Sequence, residues 1–149
     1  MAYSASYAVT IKAPQASVFD YVAEVSRHGE WGSADDHMKA TAEKAGPPAV
    51  GGRYKAEGML NGKPNNSVVT ITALDTPRKF AFDAEDSNSV FHHEFMFSAQ
   101  DGGTRVERNV TMTKGPFYFP VVLALFKGTV QKNYNGAMAN LKTKLESKT

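Results

Sequence analysis

Period-two alternation runs through the middle of this chain and stops at Gly115-Pro116, after which a single helical stripe runs from Pro120 to Glu146. Strands that alternate in this way build an antiparallel sheet with one apolar face, and that face must be covered. A helix of this length is the natural cover, because at 1.5 Å per residue it spans roughly 40 Å, about the width of a small domain. A sheet curled around one helix leaves a space between them. The pattern therefore predicts an α+β container, and leaves open what it contains.

The elements follow from local signals. Tyr7, Val9 and Ile11 alternate with Ala8, Thr10 and Lys12, which predicts a first strand. Pro14 suits a first helical position, where its missing N–H costs nothing, and Val18, Phe19, Val22 and Val25 follow as one apolar stripe. Residues Ser26 to Trp31 predict a second short helix or turn, and His37 to Ala45 a weakly patterned strand. From Gly52 the signal strengthens: Tyr54, Ala56, Gly58 and Leu60 share a face, and Asn61-Gly62 supplies a hairpin turn. Val69, Ile71 and Ala73 define the next strand, then Phe80, Phe82 and Ala84, then Phe91, His93, Phe95 and Phe97. Asp101-Gly102-Gly103 turns into a last strand carrying Val106, Arg108, Val110 and Met112 on one side. On the final helix Phe126, Val130, Tyr134, Ala137, Met138, Leu141 and Leu145 share one face, with Lys132, Asn135, Lys142 and Glu146 opposite. One domain over residues 1–149, with six or seven strands and two short helices after the first, is expected.

Composition excludes several function classes. A net charge of +2 is spread along the chain with no basic stripe, which argues against nucleic-acid binding. There is no cysteine, so disulfides and thiolate metal sites are ruled out. Asp35-Asp36-His37, near His28, lacks recognised ligand spacing and reads as a solvated loop; no metal and no cofactor are expected. The glycine pairs precede strands rather than helices, so no phosphate-cradling loop is present. Met1 to Thr10 lacks the features of a secretory signal. The apolar run Phe117 to Phe126 is about half a membrane span and is interrupted by Pro120. A cytoplasmic protein without stable membrane insertion is expected.

Four motifs in order carry a resemblance. The opening IKAPQASVFDYVAEVSRHGEW, then GPPAVGGRYKAEG, ALDTPRKFAFDAE and FMFSAQDGGTRVERNVT, are similar to the helix-grip fold of the SRPBCC or START-like superfamily. That superfamily includes the birch pollen allergen, lipid-transfer domains and the polyketide cyclase/dehydrase family. The resemblance implies a curved antiparallel sheet wrapped around the long C-terminal helix, and a hydrophobic cavity between them that holds lipids, sterols or polyketides. It transfers no catalytic residue. Gly29 stands where the family often has proline, and the His92-His93 pair is outside its pattern.

Candidate chemistry lies on the predicted inner face. His92 and His93 are adjacent on a strand and point to opposite sides, so they do not share a metal ion. His93 is in phase with the phenylalanines, where a neutral imidazole can bond a ligand carbonyl, act as a general base, or simply be a satisfied core histidine. Arg108 is in phase with Val106 and Val110, and no acid shares the inferred face of a neighbouring strand. A ligand carboxylate, phosphate or enolate would satisfy it, as would water at the open end of the sheet. Tyr54 and Tyr134 offer hydroxyls to the same space. Walls are expected from Tyr54, Val69, Ile71, Phe80, Phe82, Phe91, Phe95, Phe97, Val110, Phe126, Val130, Tyr134 and Met138. Three readings follow: a binder of a small hydrophobic or amphipathic molecule, an aromatase/cyclase or dehydratase in which Arg108 steadies an enolate, and a regulatory protein-interaction module.

Overall fold

The computed structural model describes residues 4–32, 39–60 and 63–147. The predicted Asn61-Gly62 turn and the Asp35-Asp36-His37 segment lie outside them. Seven antiparallel strands form one sheet in the order β1-β7-β6-β5-β4-β3-β2. They are β1 (Ser4–Ile11), β2 (Lys39–Ala42), β3 (Arg53–Leu60), β4 (Lys63–Asp75), β5 (Lys79–Glu85), β6 (Val90–Gln100) and β7 (Gly103–Lys114). Two short helices, α1 (Gln15–Ala23) and a 3-10 helix (Val25–Glu30), follow β1. This is the expected helix-grip arrangement, with strands meandering outward from β3 to β7 and β1 returning beside β7.

Alternation in the sequence places the core. On β7 Thr104, Val106, Arg108, Val110 and Met112 are buried while their neighbours are partly exposed. Phe80, Phe82, Phe95 and Phe97 form a ring cluster with centroids between 5.7 and 6.5 Å apart. Each such side chain contributes about 1.5–3 kcal/mol on burial. The β6–β7 hairpin closes through Asp101 and Gly102, with φ of 48° and 76°. Two consecutive positive φ values match the right-handed twist of the flanking strands, which explains the Asp-Gly pair. At the next position any Cβ on Gly103 would strike the Ile11 backbone, so glycine lets β7 begin against the end of β1.

The first helix is pinned at both ends of its approach. Phe19 meets Phe97 edge-on at 5.2 Å, Gln15 Nε2 donates to Pro77 O and Phe97 O, and Thr104 Oγ1 donates to Ala13 O. Pro14 sits at the N-cap with ψ of 143° rather than in the first turn, one residue earlier than predicted.

The structure corrects three expectations. The closing helix is not continuous: α2 (Phe119–Leu125) and α3 (Lys127–Glu146) meet at Phe126, which has φ −103° and ψ 22°. Phe126 therefore leaves the predicted inner stripe and is exposed. On β4 a bulge between Ile71 and Ala73 shifts the phase, so Leu74 rather than Ala73 packs on the core opposite Phe80. Lys142 and Glu146, expected on the solvent side, instead clamp α3 to β1. Lys142 Nζ donates to Thr10 O and to Glu146 Oε2, and Glu146 Oε2 also accepts the Lys12 N–H.

That clamp sits at one end of α3 only. Ala137, Met138, Leu141 and Leu145 in its second half are buried; Val130 and Tyr134 in its first half are partly exposed, and α2 buries no side chain. The helix grips the sheet by its C-terminal half.

Candidate functional site

The inner face gathers its polar groups under the first half of α3. Strand register puts Tyr7, Arg108, Phe95 and Phe80 in one row across β1, β7, β6 and β5, and Val110, His93 and Phe82 in the next. Arg108 and His93 are thus diagonal neighbours on one face of the sheet, close enough for long side chains to meet. Arg108 Nη2 donates to His93 Nδ1 at 3.0 Å. The guanidinium also lies over the rings of Tyr134, Phe95 and Trp31, with Cζ 4.7, 5.1 and 5.8 Å from the centroids. Aromatic faces carry negative charge density, so three of them form a cradle for a cation. His93 stacks flat on Phe82, 4.7 Å away.

The bond to Arg108 fixes the chemistry of His93. A guanidinium has donors and no acceptor, so His93 Nδ1 must accept and the ring proton sits on Nε2. Burial, and next the charge of Arg108, hold the imidazole pKa well below its ordinary value, which keeps the ring neutral. His93 is therefore a hydrogen-bond donor through Nε2. A general-base role, one of the three alternatives the sequence offers for His93, would need the lone pair on Nδ1, which accepts from Arg108.

Two more donors are buried nearby. Among the described residues, Tyr7 Oη and Trp31 Nε1 have no hydrogen-bond partner, although Tyr7 is 7% and Trp31 2% exposed. Tyr7 stacks on Tyr134 at 5.0 Å, and Trp31 meets Phe95 edge-on, so both ring systems touch aromatic residues that cradle Arg108. An orphaned buried donor costs about 1–3 kcal/mol, so two of them beside a buried cation is a notable concentration. Arg108, Tyr7, Trp31 and His93 all offer hydrogens. The arrangement suits an acceptor, and best an anionic one.

Sequence reasoning found part of this set. His93, Arg108, Phe82, Phe95 and Tyr134 come together, with Val110 opposite His93 on β7 and Phe80 and Phe97 buried on the same face. Met138 is buried on α3, while Phe91 and Val130 are half-buried. Tyr54, Val69 and Ile71 are buried on β3 and β4, on the other flank of the sheet. Burial, and next the charge of Glu24, raise the Tyr54 pKa. Tyr7 is legible in sequence only as a core-phase strand residue; the signal for its role is its registry opposite Arg108. Trp31 reads in sequence chiefly as a packing anchor of the short helix, with stacking on a ligand as the lesser alternative. His28 escapes sequence reasoning as a core group: its Nε2 donates to Val22 O at 2.7 Å and its ring packs on Trp31, Phe80 and Phe82. His92 points outward to Asp83 at 2.7 Å, as the opposite-face reading required.

Two surface crevices of about 430 and 460 Å³ are also present, one beside α1 and one across β3 and β4. Neither includes a predicted wall residue. Among the described residues no group of three histidine or acidic side chains is placed to hold a metal ion, and no helix is long and apolar enough to cross a membrane.

Known structures share this architecture. The protein TTHA0849 from Thermus thermophilus superposes with a TM-score of 0.79 over 99% of both chains at 14% identity. The Zhui aromatase/cyclase from Streptomyces sp. R1128 gives 0.77 over 98% of this chain and 94% of its own, also at 14% identity. Ara h 8.0201 gives 0.69 over 99% of both chains at 15% identity. At such identities the likeness speaks for the fold alone. No curated protein matches the chain in sequence. Residues 3–146 match the family described as polyketide cyclase / dehydrase and lipid transport, and the chain belongs to that family.

Proposed function

We propose that the protein binds a small amphipathic molecule between the sheet and the first half of α3, with its apolar body on the phenylalanine floor. The polar end would meet Arg108, Tyr7, Trp31 and His93. The observation that carries this reading is the buried cation beside two orphaned donors, Tyr7 Oη and Trp31 Nε1. A protein shaped only for stability gains nothing from leaving such donors unmet, whereas a ligand oxygen would satisfy them. Membership of a family described as polyketide cyclase / dehydrase and lipid transport supports binding of a small ligand in general terms. Because every group in the set donates, the polar end is an acceptor such as a carboxylate or enolate.

A second reading uses the same groups for catalysis. An enolate formed during cyclisation of a polyketide chain would gain from Arg108 and the fixed donors as its charge develops. The Zhui protein is an aromatase/cyclase, which makes this reading worth testing.

Native mass spectrometry of freshly purified protein, followed by extraction, identifies any retained molecule. Titration then compares a long-chain fatty acid with the alcohol of equal length. Binding of the acid tighter by roughly 10-fold or more is expected, the range of one charged hydrogen bond. Equal affinity for acid and alcohol would remove the polar end from the proposal, and no binding of any apolar probe would remove the proposal itself. Turnover of a polyketide analogue that is lost in Arg108→Met, with analogue binding retained, would select the catalytic reading.

A further inference from the structure

The corner around α2 is unusual for a protein surface. Phe117, Tyr118, Val121, Leu125 and Phe126 are all exposed, Phe117 by 94% and Leu125 by 77%. They arise from one short segment because Gly115-Pro116 ends β7 and the break at Phe126 turns the chain before α3 can lay its stripe on the sheet. A cluster of five large apolar side chains exceeds what scattered surface residues explain.

Along the segment that carries the corner, charge has one sign. Between Glu107 and Glu146 the chain contains no aspartate or glutamate, while Lys114, Lys127 and Lys132 flank the apolar residues and are exposed. Asp86 approaches from the β5–β6 turn through Ser89, which lies beside Gly115. Its Oδ1 is already taken by the N–H groups of Asn88 and Ser89 and by the Ser89 hydroxyl. An apolar projection flanked by lysines is complementary to an anionic lipid surface, with the rings and aliphatic chains in the acyl boundary and the ammonium groups at the phosphates. A protein partner fits less well. Of the five exposed side chains only Tyr118 carries a hydrogen-bonding group, whereas protein interfaces make about one hydrogen bond per 100–200 Å². A fluid bilayer needs no such matching.

We propose that the α2 corner, Phe117 to Lys127, docks on the surface of an anionic phospholipid bilayer without spanning it. This does not depend on what the inner site binds.

Sedimentation with vesicles of phosphatidylcholine and phosphatidylserine, against phosphatidylcholine alone, tests it. The chain is expected to bind only the anionic vesicles and to be released by raised salt. Lys127→Glu should weaken binding at least about fivefold, since one lysine near such a surface contributes that factor and the glutamate adds repulsion. The double variant Phe117→Ser/Leu125→Ser should weaken it about tenfold or more with unchanged thermal melting, because both side chains already lie in water. Failure to bind anionic vesicles would overturn the proposal, as would equal binding to neutral ones or undiminished binding by the double variant. A dimer in analytical ultracentrifugation that the double variant dissolves would assign the corner to a second copy of the chain instead, and would equally overturn it.

Discussion

Acidification should destabilise this protein well before its carboxylates titrate, and His28 sets the scale. Its ring is enclosed by Trp31, Phe80 and Phe82, and its Nε2–H is held by Val22 O at 2.7 Å. Burial first, and the charge of Arg108 as a smaller cause, push its pKa from 6.5 down to about 4; the Val22 hydrogen bond opposes them. Between those values the unfolded chain binds a proton that the folded chain refuses. Stability is therefore intact above pH 6.5, falls as pH drops below it, and stops falling near the folded value. Integrated from pH 7 to pH 5, this one group costs about 2 kcal/mol. His93, also held well below its ordinary value, acts in the same direction. Urea unfolding followed by tryptophan fluorescence and circular dichroism is the assay. A loss of about 2 kcal/mol lowers the midpoint by about 1 M at the urea sensitivity usual for small proteins. His28→Gln keeps a donor for Val22 O and removes the titration, so its midpoint should fall less between the two pH values. Identical wild-type midpoints at pH 7 and pH 5, or a variant whose pH dependence parallels the wild type, would refute the argument.

Other expectations follow from the same packing. Tyr7→Phe removes a buried hydroxyl that lacks a partner, so the ligand-free protein should gain about 1 kcal/mol in urea unfolding while affinity for a fatty acid falls. Arg108→Met exchanges a buried cation for an apolar chain of similar length; calorimetry should find a stability change between about zero and a gain of a few kcal/mol, and titration should find the preference for acid over alcohol gone. Leu141→Ala, in the gripping half of α3, should cost about 2–5 kcal/mol and lower the melting temperature accordingly.

The sequence by itself determined the sheet and the identity of its inner face. Alternation has a fixed period of two, so Phe95, Phe97, Val106 and Val110 could only point to one side, and Arg108 with them. The same rule separated His93 from His92. Tertiary structure decided everything that depends on which strands meet and how the helix seats. The pairing of β1 with β7 brought Tyr7 opposite Arg108, and nothing within either strand encodes that neighbour. The bulge after Ile71 moved Leu74 inward, a one-residue slip that periodicity misreads because each shift exchanges the two faces. A continuous helical stripe from Phe126 to Leu145 reads in sequence as one cover for the whole sheet. The clamp of Lys142 and Glu146 on β1 instead holds its C-terminal half, and at the helix break the side chains of Leu125 and Phe126 are exposed. Helical periodicity reports which residues share a side. It carries no information on how far along its length that side finds a partner.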